Sequence, residues 1–253
     1  MKKFLPFLVL LAGFIVIVAT YFFVIKGKSA DKNGVDMLQE EDLSFLVDVP
    51  LERRPVVSMV PTSDGHFLNL TIDKLAIDAY SLEYTLLYKL PDGREQGVPG
   101  IIPLQGQEKI ERKMLLGSES SGKFRYDEGV EQGTFTLKFR NSEGKLVAKF
   151  ETDFHLQHDT DSLSSVDGKF TYKLAKSSPE YFVSMETFGL AAAFDGNVEM
   201  GPYGLFSSST KADSGTVVIS GGDIYQLKNT SWDKISSGKA SDIGTFLTAT
   251  SSE

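Results

Sequence analysis

Alternating apolar and polar residues in the middle of the chain constrain its fold most. Phe135, Leu137 and Phe139 alternate with polar side chains, the period of two expected of a half-buried strand. An Asn-Ser-Glu-Gly turn sequence follows, and from Leu146 to Leu156 every second residue is apolar or threonine. The intervening side chains are mostly charged. The sequence therefore predicts a β-hairpin with one buried face and one face in water.

Shorter strand patterns recur along the rest of the chain, separated by Ser-Asp-Gly, Pro-Asp-Gly and other glycine-rich turns. No long amphipathic helix pattern occurs among them. Short strands at regular spacing predict an all-β fold of antiparallel β-sandwich-like domains and argue against a parallel α/β sheet. The further predicted strands are 56–60, 66–73, 81–90, 108–115, 168–174, 181–190, 203–207, 216–220, 224–227, 232–235 and 245–250.

A polar segment, His158 to Ser165, interrupts the strand pattern and is the predicted boundary between two domains. The first β-sandwich domain is expected at 44–158. The second all-β domain, richer in serine and glycine, is expected at 166–253. Its apolar run from Phe182 to Phe206 is expected to form core, with an exposed partner surface as the alternative.

Residues Glu131 to Leu137 read Glu-Gln-Gly-Thr-Phe-Thr-Leu. This run resembles the acidic-x-Gly-x-Tyr-x-Cys sequence leading into the sixth strand of immunoglobulin-like sandwiches, with Phe135 at the tyrosine position and Leu137 at the cysteine position. The run from Glu83 to Gly93 resembles their third strand without its core tryptophan, and Asp213 to Ile219 echoes the first run. The resemblance implies an immunoglobulin or fibronectin-III-like architecture and names no function.

The 22 residues from Phe4 to Ile25 carry no charge, and lysine pairs flank them on both sides. As a helix they would be roughly 33 Å long, enough to cross the apolar core of a bilayer. A cleaved signal peptide, the alternative, usually has only about 7 to 15 apolar residues before a small-residue cleavage site. We expect residues 1–28 to form a cytoplasmic tail and transmembrane anchor, and residues 29–43 a polar tether to an extracytoplasmic region.

The region beyond the anchor is strongly acidic. From residue 29 onward, 22 basic side chains stand against 34 carboxylates, a net charge of about −12. Such a surface repels phosphate backbones, so nucleic acid is not an expected partner. The chain has no cysteine, so its domains cannot depend on disulfides.

The predicted metal ligands are Asp153, His155, Asp159 and Asp161, with His158 beside them, because zinc and manganese accept imidazole and carboxylate. Asp153 and His155 share one face of a strand. His155 and His158 fall on opposite faces of an extended strand, so their spacing does not converge. The alternative is an exposed histidine followed by a solvated linker, and a calcium site at Asp159 and Asp161 would lack the full alternating acid loop.

Catalytic motifs are scarce. Ser120 to Lys123 and Ser236 to Lys239 have the Ser-x-x-Lys spacing of some serine acyltransferases, but that chemistry needs the start of a helix and both segments fall in predicted turns. With three histidines and no cysteine, few nucleophile and base pairs are possible. We therefore expect no enzyme activity and no cofactor, while a carboxylate pair for glycoside hydrolysis stays open.

Trp232 and Tyr225 could stack on a sugar ring, with a structural role for the tryptophan as the alternative. The sequence thus favours a membrane-anchored, non-catalytic binding or structural module at the cell surface. A membrane-tethered envelope hydrolase and a glycan-binding protein are the alternatives. The expected partners are the lipid bilayer, through Phe4 to Ile25, and an envelope protein or glycan.

Overall fold

The computed structural model describes residues 48–250, which belong to one compact unit, Leu46–Glu253. The predicted anchor and tether lie outside the described residues. Between residues 48 and 250, no helix is long and apolar enough to cross a membrane.

The described part is all β, which confirms the predicted fold class. Besides strands it contains two short 3-10 helices, Leu51–Arg53 and Ser236–Gly238, and no α-helix. Strands from the first half are β1 (Val56–Pro61), β2 (Phe67–Asp73), β3 (Ser81–Lys89), β4 (Glu95–Pro103), β5 (Lys109–Leu115), β6 (Gly117–Ser120), β7 (Lys123–Tyr126), β8 (Gln132–Arg140) and β9 (Leu146–Gln157). Those from the second half are β10 (Thr160–Ser164), β11 (Phe170–Ser178), β12 (Phe182–Glu186), β13 (Asn197–Ser207), β14 (Gly215–Ile219), β15 (Asp223–Lys228), β16 (Ser231–Lys234), β17 (Lys239–Ala240) and β18 (Thr245–Thr250).

One nine-stranded antiparallel sheet runs through both halves, in the order β16-β15-β18-β13-β12-β9-β8-β3-β4. A three-stranded sheet, β1-β2-β5, and a four-stranded sheet, β10-β11-β14-β17, lie outside it. Strands β6 and β7 form a separate hairpin. The two main buried clusters of the described residues lie between the long sheet and these smaller sheets.

Strand β12 shows how the two smaller sheets are arranged. Val183 and Met185 are fully buried in a cluster with side chains of β1, β2 and β5. Phe182 is fully buried in a second cluster with side chains of β11 and β14. Because successive side chains of a strand point to opposite faces, the two smaller sheets cover opposite faces of the shared sheet.

The predicted hairpin is confirmed as β8 and β9, in which Leu137 lies opposite Phe150. Alternate residues of β9 from Leu146 to Leu156 are buried. The expectation that the apolar run from Phe182 to Phe206 forms core is confirmed for Phe182, Phe188 and Tyr203, which are buried, whereas Phe194 and Phe206 are half-buried.

Strand β4 was not predicted from the sequence because it contains two glycines and two prolines. It lies at one end of the nine-stranded sheet and pairs only with β3. Proline can occupy such an edge strand because no neighbour needs its missing N–H. At Gly100 a β-carbon would collide with the Tyr84 ring, so this position requires glycine.

The structure also differs from the sequence prediction at His158 to Ser165. This segment is not a solvated linker, because its residues Thr160–Ser164 form β10, which pairs with β11. Polar side chains hid the strand, since only Leu163 in it is buried. Strand pairing between β9 and β12 then carries one sheet across the predicted boundary between 44–158 and 166–253.

Candidate functional site

The hairpin of β6 and β7 carries two aromatic rings into solvent. Phe124 is 48% exposed and Tyr126 is 38% exposed. The two residues lie on the same face of β7, and their rings are parallel with centroids 6.1 Å apart. This leaves an apolar surface in water on a hairpin that contributes almost nothing to the core.

Strand β2 and the turn before it hold these rings in place. The Tyr126 ring stacks on His66, with centroids 3.9 Å apart, and Phe67 meets Tyr126 edge-on at 6.0 Å. The Lys113 ammonium lies 4.1 Å from the centroid of the Phe67 ring. Stacked, edge-to-face and cation–π contacts are all favourable. We call His66, Phe67, Phe124 and Tyr126 the aromatic strip.

The His66 end of the strip opens into a cleft of about 340 Å³. All three histidines of the chain, His66, His155 and His158, line this cleft. They come from the turn before β2 and from the C-terminal end of β9, which belong to different sheets, so packing of the two sheets brings together residues about ninety positions apart. We call this the histidine cleft.

Carboxylates give the histidine cleft a negative lining. Asp64, Asp127, Glu128 and Glu131 all contribute to its wall. The Thr62 hydroxyl and the His66 backbone N–H donate hydrogen bonds to Asp64 and lower the pKa of its carboxyl group. Four acids against three imidazoles favour a cationic ligand.

The second half of the chain closes the far side of the cleft. The His155 Nδ1–H donates to the Ser164 carbonyl oxygen at 2.8 Å, which ties β9 to β10. The His158 ring lies 4.8 Å from the Tyr181 ring. A β-carbon on Gly65 would collide with Tyr181, so the turn before β2 packs directly on this wall. The cleft walls are therefore fixed by packing.

Tyr88 holds Asp127, one of the residues that line the cleft. Its hydroxyl donates to Asp127 Oδ2 at 3.0 Å. Burial, and then the Asp127 carboxylate, raise the pKa of Tyr88, so the phenol stays a donor.

The predicted metal ligands do not meet at one point. Asp153 accepts a hydrogen bond from the Thr134 hydroxyl at 2.8 Å, and Asp161 lies 3.9 Å from the Lys173 ammonium. Asp159 lies 2.9 Å from His158 Nδ1. In the part of the chain that the structure describes, no group of three or more His, Asp or Glu side chains is arranged to hold a metal ion.

The predicted sugar-stacking pair belongs to a small apolar cluster around Leu190 and Leu247. The Trp232 indole N–H donates to the Ala192 carbonyl oxygen at 3.1 Å. Phe194 makes edge-to-face contacts with Trp232 at 6.1 Å and with Tyr225 at 5.0 Å. These contacts give both rings a packing role.

Neither Ser-x-x-Lys segment lies at the start of an α-helix. Ser120 to Lys123 forms the exposed tip of the β6–β7 hairpin, and Ser236–Gly238 is a single 3-10 turn. The serine–lysine geometry of acyltransferases is therefore not built at either place.

A second cavity of about 200 Å³, which we call the acidic cavity, contains Glu151, Asp153, Asp167, Glu186 and the Tyr203 ring. Burial, and then the charge of Asp167, raise the pKa of Glu186. Burial opposes ionisation of Asp167 too, but hydrogen bonds from Ser165 and Lys169 outweigh it and lower the pKa. The Tyr203 hydroxyl donates to Asp167 Oδ2 at 3.4 Å. Two carboxyl groups with pKa values moved in opposite directions are typical of acid–base pairs.

Sequence reasoning missed both the histidine cleft and the acidic cavity. Their residues come from separate strands, and no local spacing connects them. Comparison with known proteins adds no assignment, because no protein-family model, no curated protein and no solved structure matches the chain. Function must therefore be inferred from the geometry of the described residues.

Proposed function

We propose that the chain is a membrane-anchored, extracytoplasmic binding protein without catalytic activity. Its recognition surface consists of the aromatic strip and the histidine cleft. The observation that carries this proposal is the exposure of Phe124 and Tyr126 on a hairpin that leads directly to a negatively lined cleft. Exposed apolar surface beside charged groups is typical of a protein interaction site.

Charge complementarity defines the partner. The carboxylates of the cleft and the acidic surface of the chain favour a basic ligand. The apolar rings beside the cleft favour a ligand that also carries aromatic or aliphatic side chains. The partner we propose is a basic, partly apolar segment of another envelope protein.

The strand order of the first half favours an immunoglobulin or fibronectin-III-like domain that carries the recognition surface. Its strands form the sheet β1-β2-β5 and one end of the nine-stranded sheet, in the order β4-β3-β8-β9. Labelled A, B, C, C′, E, F and G in chain order, leaving β6 and β7 out, they pair as A-B-E and C′-C-F-G, as in immunoglobulin-like sandwiches. Phe135 and Leu137, at the tyrosine and cysteine positions of the resemblance, are fully buried in β8.

Site-specific photo-crosslinking in native membranes tests the recognition surface. A photoreactive phenylalanine at position 124 should crosslink to a discrete protein. The same group at Ile101, an apolar residue on β4 that is 73% exposed, is the control and should not. The double variant Phe124→Ser, Tyr126→Ser should abolish a crosslink made from position 66.

Equal crosslinking from positions 124 and 101, or none from 124, would contradict the proposal. A product sensitive to glycosidases but not to proteases would support the glycan reading instead. Titration with cell-wall saccharides adds a second check. Because Trp232 is the single tryptophan of the chain, its fluorescence reports on sugar binding at that ring. Unchanged fluorescence would argue against sugar binding at Trp232.

The acidic cavity supports a hydrolase as the second candidate function. Protonated Glu186 would act as general acid and ionised Asp167 as base, because their environments move the two pKa values apart. Glycoside hydrolysis by the full-length protein that disappears in both Glu186→Gln and Asp167→Asn would establish it. Hydrolysis that survives either substitution, or no hydrolysis by the wild type, would count against it.

A further inference from the structure

Two buried oxygen atoms in the second half have no hydrogen-bond donor. Among the described residues, Asp213 Oδ2 and Gln226 Oε1 are the buried side-chain oxygens without a partner. Gln226 is only 3% exposed. A buried acceptor without a donor costs free energy, so each such atom requires an explanation.

Both of these unpartnered oxygens belong to residues that form a hydrogen bond with Asp242. The Asp213 backbone N–H donates to Asp242 Oδ1 at 2.9 Å, and the Ile243 backbone N–H donates to the same oxygen at 2.8 Å. The Gln226 side-chain N–H donates to the Asp242 carbonyl oxygen at 2.8 Å. Asp213 precedes β14, Gln226 lies on β15 and Asp242 precedes β18, so hydrogen bonds to Asp242 join residues from three separate elements.

Negatively charged side chains lie close together around Asp213. Burial, and then the charges of Asp242 and Glu180, raise the pKa of Asp213, and Lys211 only partly offsets them. The Tyr172 hydroxyl is already engaged, because it donates to the Asp213 carbonyl oxygen at 2.8 Å. The two carboxylates therefore repel each other beside an amide oxygen that also lacks a donor.

We propose that Asp213, Asp242 and Gln226 bind a calcium ion. Asp213 Oδ2, the second carboxylate oxygen of Asp242 and Gln226 Oε1 would be ligands, with water filling the other positions. Calcium accepts six to eight oxygen ligands in flexible geometry, including neutral amide oxygens. An all-oxygen set does not favour zinc, which prefers imidazole and thiolate.

The ion would join the loop before β14 to the loop before β18 and to β15. With only two carboxylates, we expect a dissociation constant on the order of 10⁻⁴ to 10⁻³ M, as in extracellular calcium modules. Asp213, Gln226 and Asp242 are not among the residues of the aromatic strip or the lining of the histidine cleft, and the site does not depend on the function proposed for them.

Thermal unfolding of the full-length protein in detergent tests the calcium site. About 10 mM calcium chloride should raise the unfolding midpoint by roughly 3 to 10 °C, and magnesium should raise it less. Asp213→Asn should lose the response. Asp195→Asn, which removes an exposed carboxylate from the same half, should keep it. No response in the wild type, or equal losses in the two variants, would overturn the proposal.

Gln226→Glu gives an independent test that does not require Asp213→Asn to fold. A third carboxylate should lower the unfolding midpoint without calcium and enlarge the increase that calcium produces. A structural water at the site predicts the same destabilisation with and without calcium. That result would show that a water molecule, and not a calcium ion, occupies the site.

Discussion

The Tyr126 ring lies parallel to the His66 imidazole, at an angle of 2° and with 3.9 Å between centroids. This contact fixes the β6–β7 hairpin, which forms its own two-stranded sheet, against the turn before β2, and that turn borders the histidine cleft. The hairpin and the cleft therefore act as one surface.

Tyr126→Ala should uncouple the hairpin from the cleft. The lost stack should cost about 0.5 to 1.5 kcal/mol of stability. The NMR shifts of the His66 ring protons should lose their ring-current displacement, whereas Tyr126→Phe should preserve it. Unchanged His66 shifts in Tyr126→Ala would show that the two rings do not stack in solution.

Gly65→Ala should destabilise the wall of the histidine cleft. Its backbone has φ near +71° and its β-carbon would meet the Tyr181 ring. We expect a loss of about 2 to 3 kcal/mol in urea unfolding. Gly93→Ala is the matched control, because it has φ near +86° but open space around the β-carbon. Equal losses in both variants would show that backbone strain alone is responsible.

Glu186 should make stability depend on pH. Its usual pKa of 4.5 is raised by folding, so between that value and the raised one the folded protein holds a proton that the unfolded chain releases. The stability that Glu186 contributes to the folded protein is fully present below pH 4.5 and is lost as the pH rises through the raised pKa.

Glu186→Gln should remove this part of the pH dependence and be more stable than the wild type at neutral pH. Denaturant unfolding between about pH 4 and pH 8 measures it. Glu119→Gln, on the exposed hairpin, should keep the wild-type profile. A Glu186→Gln profile parallel to the wild type would contradict the assignment.

The two halves should unfold together. Phe182→Ala and Met185→Ala change opposite faces of β12, and each should cost roughly 2 to 5 kcal/mol. Trp232 fluorescence and far-ultraviolet circular dichroism should report one shared transition in the wild type and in each variant. Two separate transitions would mean that the common sheet does not couple the halves.

The sequence pattern was clearest for strands in which one face is buried and the other wet. Alternation identified β8 and β9 because the core accepts only every second side chain. It failed for β4, where proline and glycine at a sheet edge imitate a loop, and for β10, where only Leu163 is buried. These two strands have no hydrophobic period to detect.

Less of the candidate site was predictable. His155 and His158 were singled out with the carboxylates next to them in sequence, whereas folding places them opposite His66 and Asp64. That arrangement depends on how the three-stranded sheet packs on the nine-stranded sheet, and such packing leaves no local pattern in a single sequence. Trp232 was given a packing role among its alternatives, and its bond to Ala192 supports that role.

The prolines of β4 also affect whether copies of the protein associate at high local concentration. An outermost strand offers a row of free amide and carbonyl groups to any other chain. Pro99 and Pro103 interrupt that row, so a neighbouring copy arriving strand to strand would find gaps where it needs donors. Many copies held close together on one surface would thus resist fibril formation by strand pairing along β4.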